Sequence, residues 1–221
     1  MATSEAPVPR VTRIVKKEAT RLQLIGATID VIAANGFADL TLSKVSDKAK
    51  VSRGLVNFHF TSKEQLLVET LRHLTSEYRN TWRKAYESKN SPAERLAKIV
   101  ETDFHPKICN TKTISVWYAF WGEAKSRPVY REVSDRADDE FARIIENLCR
   151  EIITDGNYDI DPILAAKGLR SMIDGLWLEL LLSPQTFNRN LAISTCMEYL
   201  SRYFPLHFVS SHIQSTANQN G

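Results

Sequence analysis

The chain has 221 residues, 43% of them hydrophobic and 25% charged, with a formal net charge of +3. This is ordinary globular material, long enough for two unequal domains and apolar enough to bury a core, so disorder is expected only at the ends. No stretch approaches the ~18 uncharged apolar residues of a membrane span, and the first residues lack an apolar leader core, so a cytoplasmic protein is expected, with no membrane partner. Cys109, Cys149 and Cys196 are odd in number and lack Cys-x-x-Cys spacing, which argues against a disulfide framework or a zinc site. The histidines show no metal-ligand spacing, and there is no Gly-rich phosphate loop or Gly-x-Ser-x-Gly elbow. No metal, cofactor or catalytic residue is therefore expected.

Residues 1–15, with Pro7, Pro9, Arg10 and Arg13, show no apolar periodicity and read as a flexible basic arm. From Lys16 the spacing of Leu22, Ile25, Ile29 and Ile32 predicts a first helix, stopped by Gly36. Thr41 caps a second helix running to about Lys50, with Leu42, Val45 and Ala49 on one face. After a tight turn at Val51, Ser52 caps a third, from Arg53 to about Phe60. Ser62 opens a fourth, with Leu66, Leu67, Leu71 and Leu74 on its apolar side. Later breakers, Ser91-Pro92, Pro106, Arg127-Pro128, Asp155-Gly156, Asp161-Pro162 and Ser183-Pro184, separate helical segments near 92–108, 112–124, 128–154, 162–182 and 187–203. The fold class is all-α: a three-helix helix-turn-helix domain at 16–61, a larger helical domain at 62–208 and a disordered tail at 209–221.

Three short helices, the last two joined by a tight turn, have the geometry of a helix-turn-helix reader, in which the third helix presents its polar face to the DNA major groove. In the third helix Val56 and Phe60 lie four apart and face inward, leaving Arg53, Gly54 and Asn57 outward, with Gly54 permitting close approach. Through Thr61 the cations Arg10, Arg13, Lys16, Lys17, Arg21, Lys44, Lys48, Lys50 and Arg53 outnumber Glu5, Glu18, Asp30, Asp39 and Asp47, as suits a phosphate-facing surface. Arg53 and Asn57 are the expected base contacts. Thr41, Ser43, Ser52, His59 and Lys63 are the expected phosphate contacts.

Thr41-Leu42-Ser43-Lys44-Val45, Ala49-Lys50-Val51-Ser52-Arg53-Gly54-Leu55-Val56 and His59-Phe60-Thr61-Ser62-Lys63-Glu64-Gln65-Leu66-Leu67 closely resemble the DNA-binding domain of the TetR family over about residues 17–70. Two departures stand out: Lys50 holds the turn position usually given to Gly, and Phe58-His59 replaces the frequent His-Tyr. The segments Trp117-Tyr118-Ala119-Phe120-Trp121 with Pro128 and Arg131, and Ile173-Asp174-Gly175-Leu176-Trp177, resemble the choline-responsive repressors of that family. The resemblance implies a homodimeric repressor on palindromic double-stranded operator DNA, released by a small-molecule effector such as choline or a related quaternary amine. It also implies a dimer interface from the last two helices, for which Leu164, Leu169, Ile173, Leu176, Leu180, Ile193, Met197 and Leu200 are available.

Aromatic faces with a nearby carboxylate suit a cation that cannot donate hydrogen bonds, so Trp117, Trp121, Asp174 and Trp177 are the expected effector residues. The plainer alternatives are core packing for the two tryptophans one turn apart and a salt bridge for Asp174. For the whole chain the alternative is an all-helical small-molecule carrier or enzyme with an incidental helix-turn-helix.

Overall fold

The computed structural model describes residues 10–209. The readings of residues 1–9 as part of an arm and of 210–221 as a tail lie outside the described residues. Among the described residues the chain is all-α: α1 (Arg10–Asn35), α2 (Leu42–Ala49), α3 (Arg53–His59), α4 (Lys63–Tyr86), α5 (Pro92–Asp103), α6 (Thr111–Glu123), α7 (Pro128–Gly156), α8 (Pro162–Leu182) and α9 (Arg189–Tyr203). They form two compact units divided between His73 and Leu74, inside α4 rather than at its start.

In the first unit α1 begins at Arg10, so residues 10–15 are helix rather than arm. No Pro or Gly follows Pro9 there, and the helix propagates backward without burial: Ile14 and Val15 are exposed. The buried stripe of α1 runs through Leu24, Ile25, Thr28, Val31 and Ile32, while Leu22, expected on it, is 43% exposed. Gly36, at φ 78°, ends the helix with its N–H on the Ile32 carbonyl at 2.8 Å. Leu40, Val45, Ala49, Val56 and Phe60 complete this core with Leu66, Leu67 and Leu71. An ion pair from Arg21 to Glu69 and a bond from Gln23 Nε2 to the Ala49 carbonyl (2.8 Å) hold α1 to α4 and α2.

In the second unit α7 and α8 pack along each other, α5 lies against α7 and α9, and α6 against α7 and α8. Ser91 and Glu94 form a capping box at the start of α5, and Asn110, Asp161 and Asn188 cap α6, α8 and α9. α5 stops at Asp103, earlier than expected, because the residue before Pro106 avoids the helical region. The segment that follows is held by Arg189, which donates to the carbonyls of Phe104 and of Cys109, the latter at 3.0 Å. Gly156 lies beneath the Tyr158 ring, where a Cβ would come within 2.2 Å of a ring carbon, so any larger residue there would have to displace the ring.

Of the apolar residues assigned to a dimer interface, Leu164 is exposed, Leu176, Ile193 and Met197 are half-buried, and four are buried. Leu169, Ile173, Leu180 and Leu200 are buried in the unit's own core and are unavailable, because their stripe already satisfies α5, α6 and α7. The exposed large apolar side chains of α8 and α9 are Ile163, Leu164, Leu178, Leu182 and Leu191.

Lys50 sits at φ 54°, ψ 43°, in the left-handed region, with its N–H on the carbonyls of Ser46 and Asp47. A β-carbon there costs roughly 1 kcal/mol relative to glycine. Lys50→Gly should therefore raise the urea midpoint, by up to about 1 kcal/mol of unfolding free energy with an unchanged m-value. A lower midpoint would show that the lysine side chain stabilises the turn by more than the strain costs.

Candidate functional site

Two surfaces bring the expected residues together, one in each unit. In the first, α2 and α3 are each started by a hydroxyl: Thr41 Oγ1 accepts from the Lys44 N–H at 3.2 Å and Ser52 Oγ from the Leu55 N–H at 3.2 Å. These bonds occupy acceptor lone pairs and leave both hydroxyl protons for an anion. Val56 and Phe60 are fully buried and anchor α3. The opposite face exposes Arg53, Gly54, Asn57 and Phe58. Arg53 Nη1 donates to Ser43 Oγ at 3.3 Å, so the expected base contact and an expected phosphate contact are adjacent across the turn. A Cβ on Gly54 would meet only Ser52 Oγ, at an ordinary 3.8 Å. The protein itself does not require glycine there.

His59 is half-buried, and burial together with the cations Lys17 and Arg21 lowers its pKa from the ordinary histidine value. Lys63 is half-buried at the first turn of α4, behind a start fixed by Ser62 Oγ on the Gln65 N–H (3.0 Å) and Gln65 Oε1 on the Thr61 N–H (2.7 Å). Sequence reasoning missed Phe58, which is 69% exposed with the Lys17 ammonium 5.6 Å from its ring centroid. Its signal was available: position 58 is four residues after Gly54, on the side of α3 opposite Val56 and Phe60.

In the second unit Trp117, Trp121, Asp174 and Trp177 all line one cavity, with Thr75, Tyr78, Arg79 and Trp82 of α4, Ser134 and Asp138 of α7, and Arg170 of α8. It holds about 450 Å³ of space free of protein atoms, its open mouth included. Trp117 and Trp121 have centroids 6.1 Å apart, and the Tyr78 ring stands edge-on to Trp117 at 6.2 Å and to Trp177 at 5.8 Å. Of the two tryptophans one turn apart, Trp117 is almost wholly buried and Trp121 half-buried, and both line the cavity together with the buried Trp177.

The acids on the rim are paired. Arg170 Nη2 binds Asp138 Oδ1 at 2.8 Å and its Nε lies 3.6 Å from Asp174 Oδ2; Arg79 lies 2.7 Å from Glu140. Burial raises the Asp174 pKa, against the opposing pull of Arg170. Sequence reasoning also missed Tyr78, Arg170 and a buried carboxyl behind the wall, Asp103. Asp103 Oδ1 accepts from the Tyr78 hydroxyl at 2.8 Å, its carbonyl accepts from Trp177 Nε1 at 3.2 Å, and its Oδ2 has no hydrogen-bond partner among the described residues. Desolvation lifts its pKa from 3.8 to about 7, although the Tyr78 bond and Arg170 oppose the rise. Among the described residues no group of three or more His, Cys, Asp or Glu could hold a metal, and no helix is long and apolar enough to cross a membrane.

A capped helix-turn-helix in one unit beside an all-helical second unit with an aromatic cavity is the architecture of a helix-turn-helix transcriptional regulator. Residues 24–70 match the model for bacterial regulatory proteins of the tetR family, and residues 92–205 match that for the C-terminal domain of BetI-type transcriptional repressors. The HTH-type transcriptional regulator BetI of Pectobacterium carotovorum is 34% identical over 187 residues, covering 82% of this chain and 92% of its own length. That of Pseudomonas aeruginosa PAO1 is 33% identical over 184 residues, covering 82% and 91%. A transcriptional regulator of known structure from P. aeruginosa PAO1 superposes with a TM-score of 0.75 at 28% identity, covering 86% of this chain and 91% of its own. A Saccharomonospora viridis regulator solved in complex with choline shares the fold, with a TM-score of 0.76 at 21% identity and coverage of 83% and 96%. The chain belongs to the TetR family of DNA-binding transcriptional regulators, with a C-terminal domain of the BetI repressor type. It is a regulator rather than an enzyme, which sets aside the reading of an enzyme with an incidental helix-turn-helix.

The buried acid contributes a pH dependence of stability opposite in sign to that of an ion-paired carboxylate. The folded carboxyl keeps its proton up to about pH 7, whereas the unfolded one releases it near 3.8. Between those values the folded state binds more protons, so this contribution is full below pH 4 and is lost as pH rises toward 7. Asp103→Asn should remove that decline: its melting temperature relative to wild type should climb from pH 4 to pH 8. A difference independent of pH would show that Asp103 titrates at an ordinary value.

Proposed function

We propose that the chain is an operator-binding repressor that acts as a twofold dimer and is released from DNA by a small quaternary amine, with choline the first candidate. The observation that carries this reading is the aromatic cavity with α4 in its wall. Tyr78 and Trp82 face the space beside Trp117, Trp121 and Trp177, and the same helix begins at Lys63, one turn after the reader helix. An effector that favours one placement of Tyr78 and Trp82 acts directly on the element that bears Lys63. Cation–π contacts of about 0.5–2 kcal/mol per ring suffice together for micromolar to millimolar sensing. The Saccharomonospora regulator solved in complex with choline, which shares this fold, supports the ligand class.

On the DNA side Arg53, Asn57 and Phe58 meet base edges, while Thr41, Ser43, Ser52, His59 and Lys63 hold phosphates and set the register. Arg53→Ala should cost about 1–3 kcal/mol on a duplex selected by the protein and relax preference at one position per half-site, whereas Lys63→Ala should weaken all sequences and lower the salt slope. Gly54→Ala separates fold from contact: thermal stability should hold or rise, since glycine inside a helix costs roughly 0.5–1 kcal/mol relative to alanine, while affinity falls. Unchanged affinity of Gly54→Ala would remove close approach at this position from the docking scheme.

A short reader helix meets few bases, so two copies are needed, and the exposed Leu164, Leu178, Leu182 and Leu191 of α8 and α9 offer a self-complementary apolar face. The double variant Leu182→Glu, Leu191→Glu should sediment as a folded monomer and lose operator affinity. Wild-type protein on its selected duplex should be released by choline in fluorescence anisotropy. A wild-type monomer that binds tightly overturns the dimer, and indifference to choline overturns that effector.

A further inference from the structure

Resting on the quaternary-amine reading above, we infer that Asp103, and not Asp174, is the residue that selects a cationic effector over a neutral one, by acting through Tyr78. Asp174 was the acid expected from sequence, but its carboxylate faces Arg170, which also takes Asp138, and Arg79 is matched by Glu140. The rim therefore offers acids whose charge is already shared with guanidinium groups inside the same cavity.

Asp103 differs in three respects. It is fully buried, it has no ion-pair partner among the described residues, and one of its oxygens takes no hydrogen bond there. It also holds two walls of the cage at once, Tyr78 through its carboxylate and Trp177 through its carbonyl. A phenol that donates to a carboxylate has a more electron-rich ring, and a ring face attracts a cation in proportion to that density. The charge behind the ring adds a direct Coulomb attraction that burial leaves poorly screened. Both effects act on a positive ligand and are nearly absent for a neutral one of the same shape. Asp103 is thus a positioning and selectivity residue that does not itself touch the ligand. The titratable and charged groups facing it are Tyr78 of α4, Arg170 and Asp174 of α8, Cys109 ahead of α6 and Cys196 of α9, and among these Arg170 is the sole cation, already bound to two acids.

The test compares choline with 3,3-dimethylbutan-1-ol, which replaces the quaternary nitrogen by carbon at nearly constant shape, by calorimetry on the full chain at pH 8. Wild type should prefer choline by about tenfold or more. Asp103→Asn, which keeps an acceptor for the Tyr78 hydroxyl, should reduce that preference to a few-fold while leaving affinity for the neutral alcohol within about twofold. Tyr78→Phe should lose part of the preference, and Asp174→Asn should keep it. Near-wild-type affinity for the alcohol is the control for folding, since a general loss of the cage would weaken both ligands. A preference retained by Asp103→Asn and lost by Asp174→Asn overturns the assignment while leaving the effector class standing. Binding of neither ligand by wild type overturns the effector class and the assignment with it.

Discussion

A single helix has to satisfy two separate cores, and most of the functional organisation follows from that constraint. The 24 residues of α4 extend about 36 Å. Its first half buries Leu66, Leu67 and Leu71 with the helix-turn-helix, and its second half buries Leu74, Thr75 and Trp82 in the larger unit. Each apolar stripe fixes the rotation of the helix about its axis at that end. The reader end is fixed further by the Ser62 and Gln65 caps and by the ion pair from Glu69 to Arg21. On the proposed reading this helix is the element that would carry an effect from Tyr78 to Lys63.

The second constraint is the cost of charge in an apolar interior. The cavity of the larger unit combines five aromatic side chains with Arg79, Arg170, Asp138 and Asp174. Burial disfavours the charge on Arg170, yet the nearby carboxylates, Asp138 first, hold its pKa above the ordinary value. Its guanidinium also lies 5.1 Å from the Phe141 ring centroid. Asp103 has no direct ion pair among the described residues: Arg170 stabilises its charge only through space, and a single hydroxyl, that of Tyr78, donates to it. Isolated buried acids are uncommon because they destabilise the fold above their pKa. Cys109, Cys149 and Cys196 respond to the same interior differently: their thiols are driven upward, to about 11, 12 and 12, and stay protonated and inert.

What was legible in the sequence was governed by local chemistry. Hydroxyl caps, prolines and the alternation of three- and four-residue steps located the helices, because those signals act within a turn or two. Rotation about a helix axis was less legible. Leu22 belonged to a plausible stripe of α1, yet the buried face passes through Leu24 and Thr28, and only the partner helices decide between such neighbouring stripes. The same ambiguity placed Leu169, Ile173, Leu180 and Leu200 in an interface when the unit's own core claims them. Tyr78 and Trp82 continue the stripe of Leu67, Leu71 and Leu74 and were readable as cavity wall had it been followed past Leu74. Asp103 stands at the next position of the stripe Leu96, Ile99 and Val100, where a carboxylate is a conspicuous exception. Its partners lie 25 and 74 residues away in sequence, and no local pattern connects them.

These observations restrict where regulation can originate on the proposed reading. A ligand shifts an equilibrium only by its difference in affinity between the two states, and reversing a 99 to 1 preference takes about 5.5 kcal/mol. Contacts that are equal in both states contribute affinity but no release. Trp117, Trp121 and Trp177 sit on α6 and α8, which belong wholly to the larger unit, and their contacts to a ligand need not change when the reader moves. Thr75, Tyr78, Arg79 and Trp82 are on the helix that continues into the reader, so their contacts are the ones that change with it. The difference in affinity must therefore be concentrated in the α4 wall of the cavity. Tyr78 is the residue there that joins three things at once: it edges both buried indoles, it is tied to Asp103, and it is carried by α4. Tight binding through the three tryptophans alone would leave DNA binding untouched, and a weaker effector that presses on Tyr78 would release it.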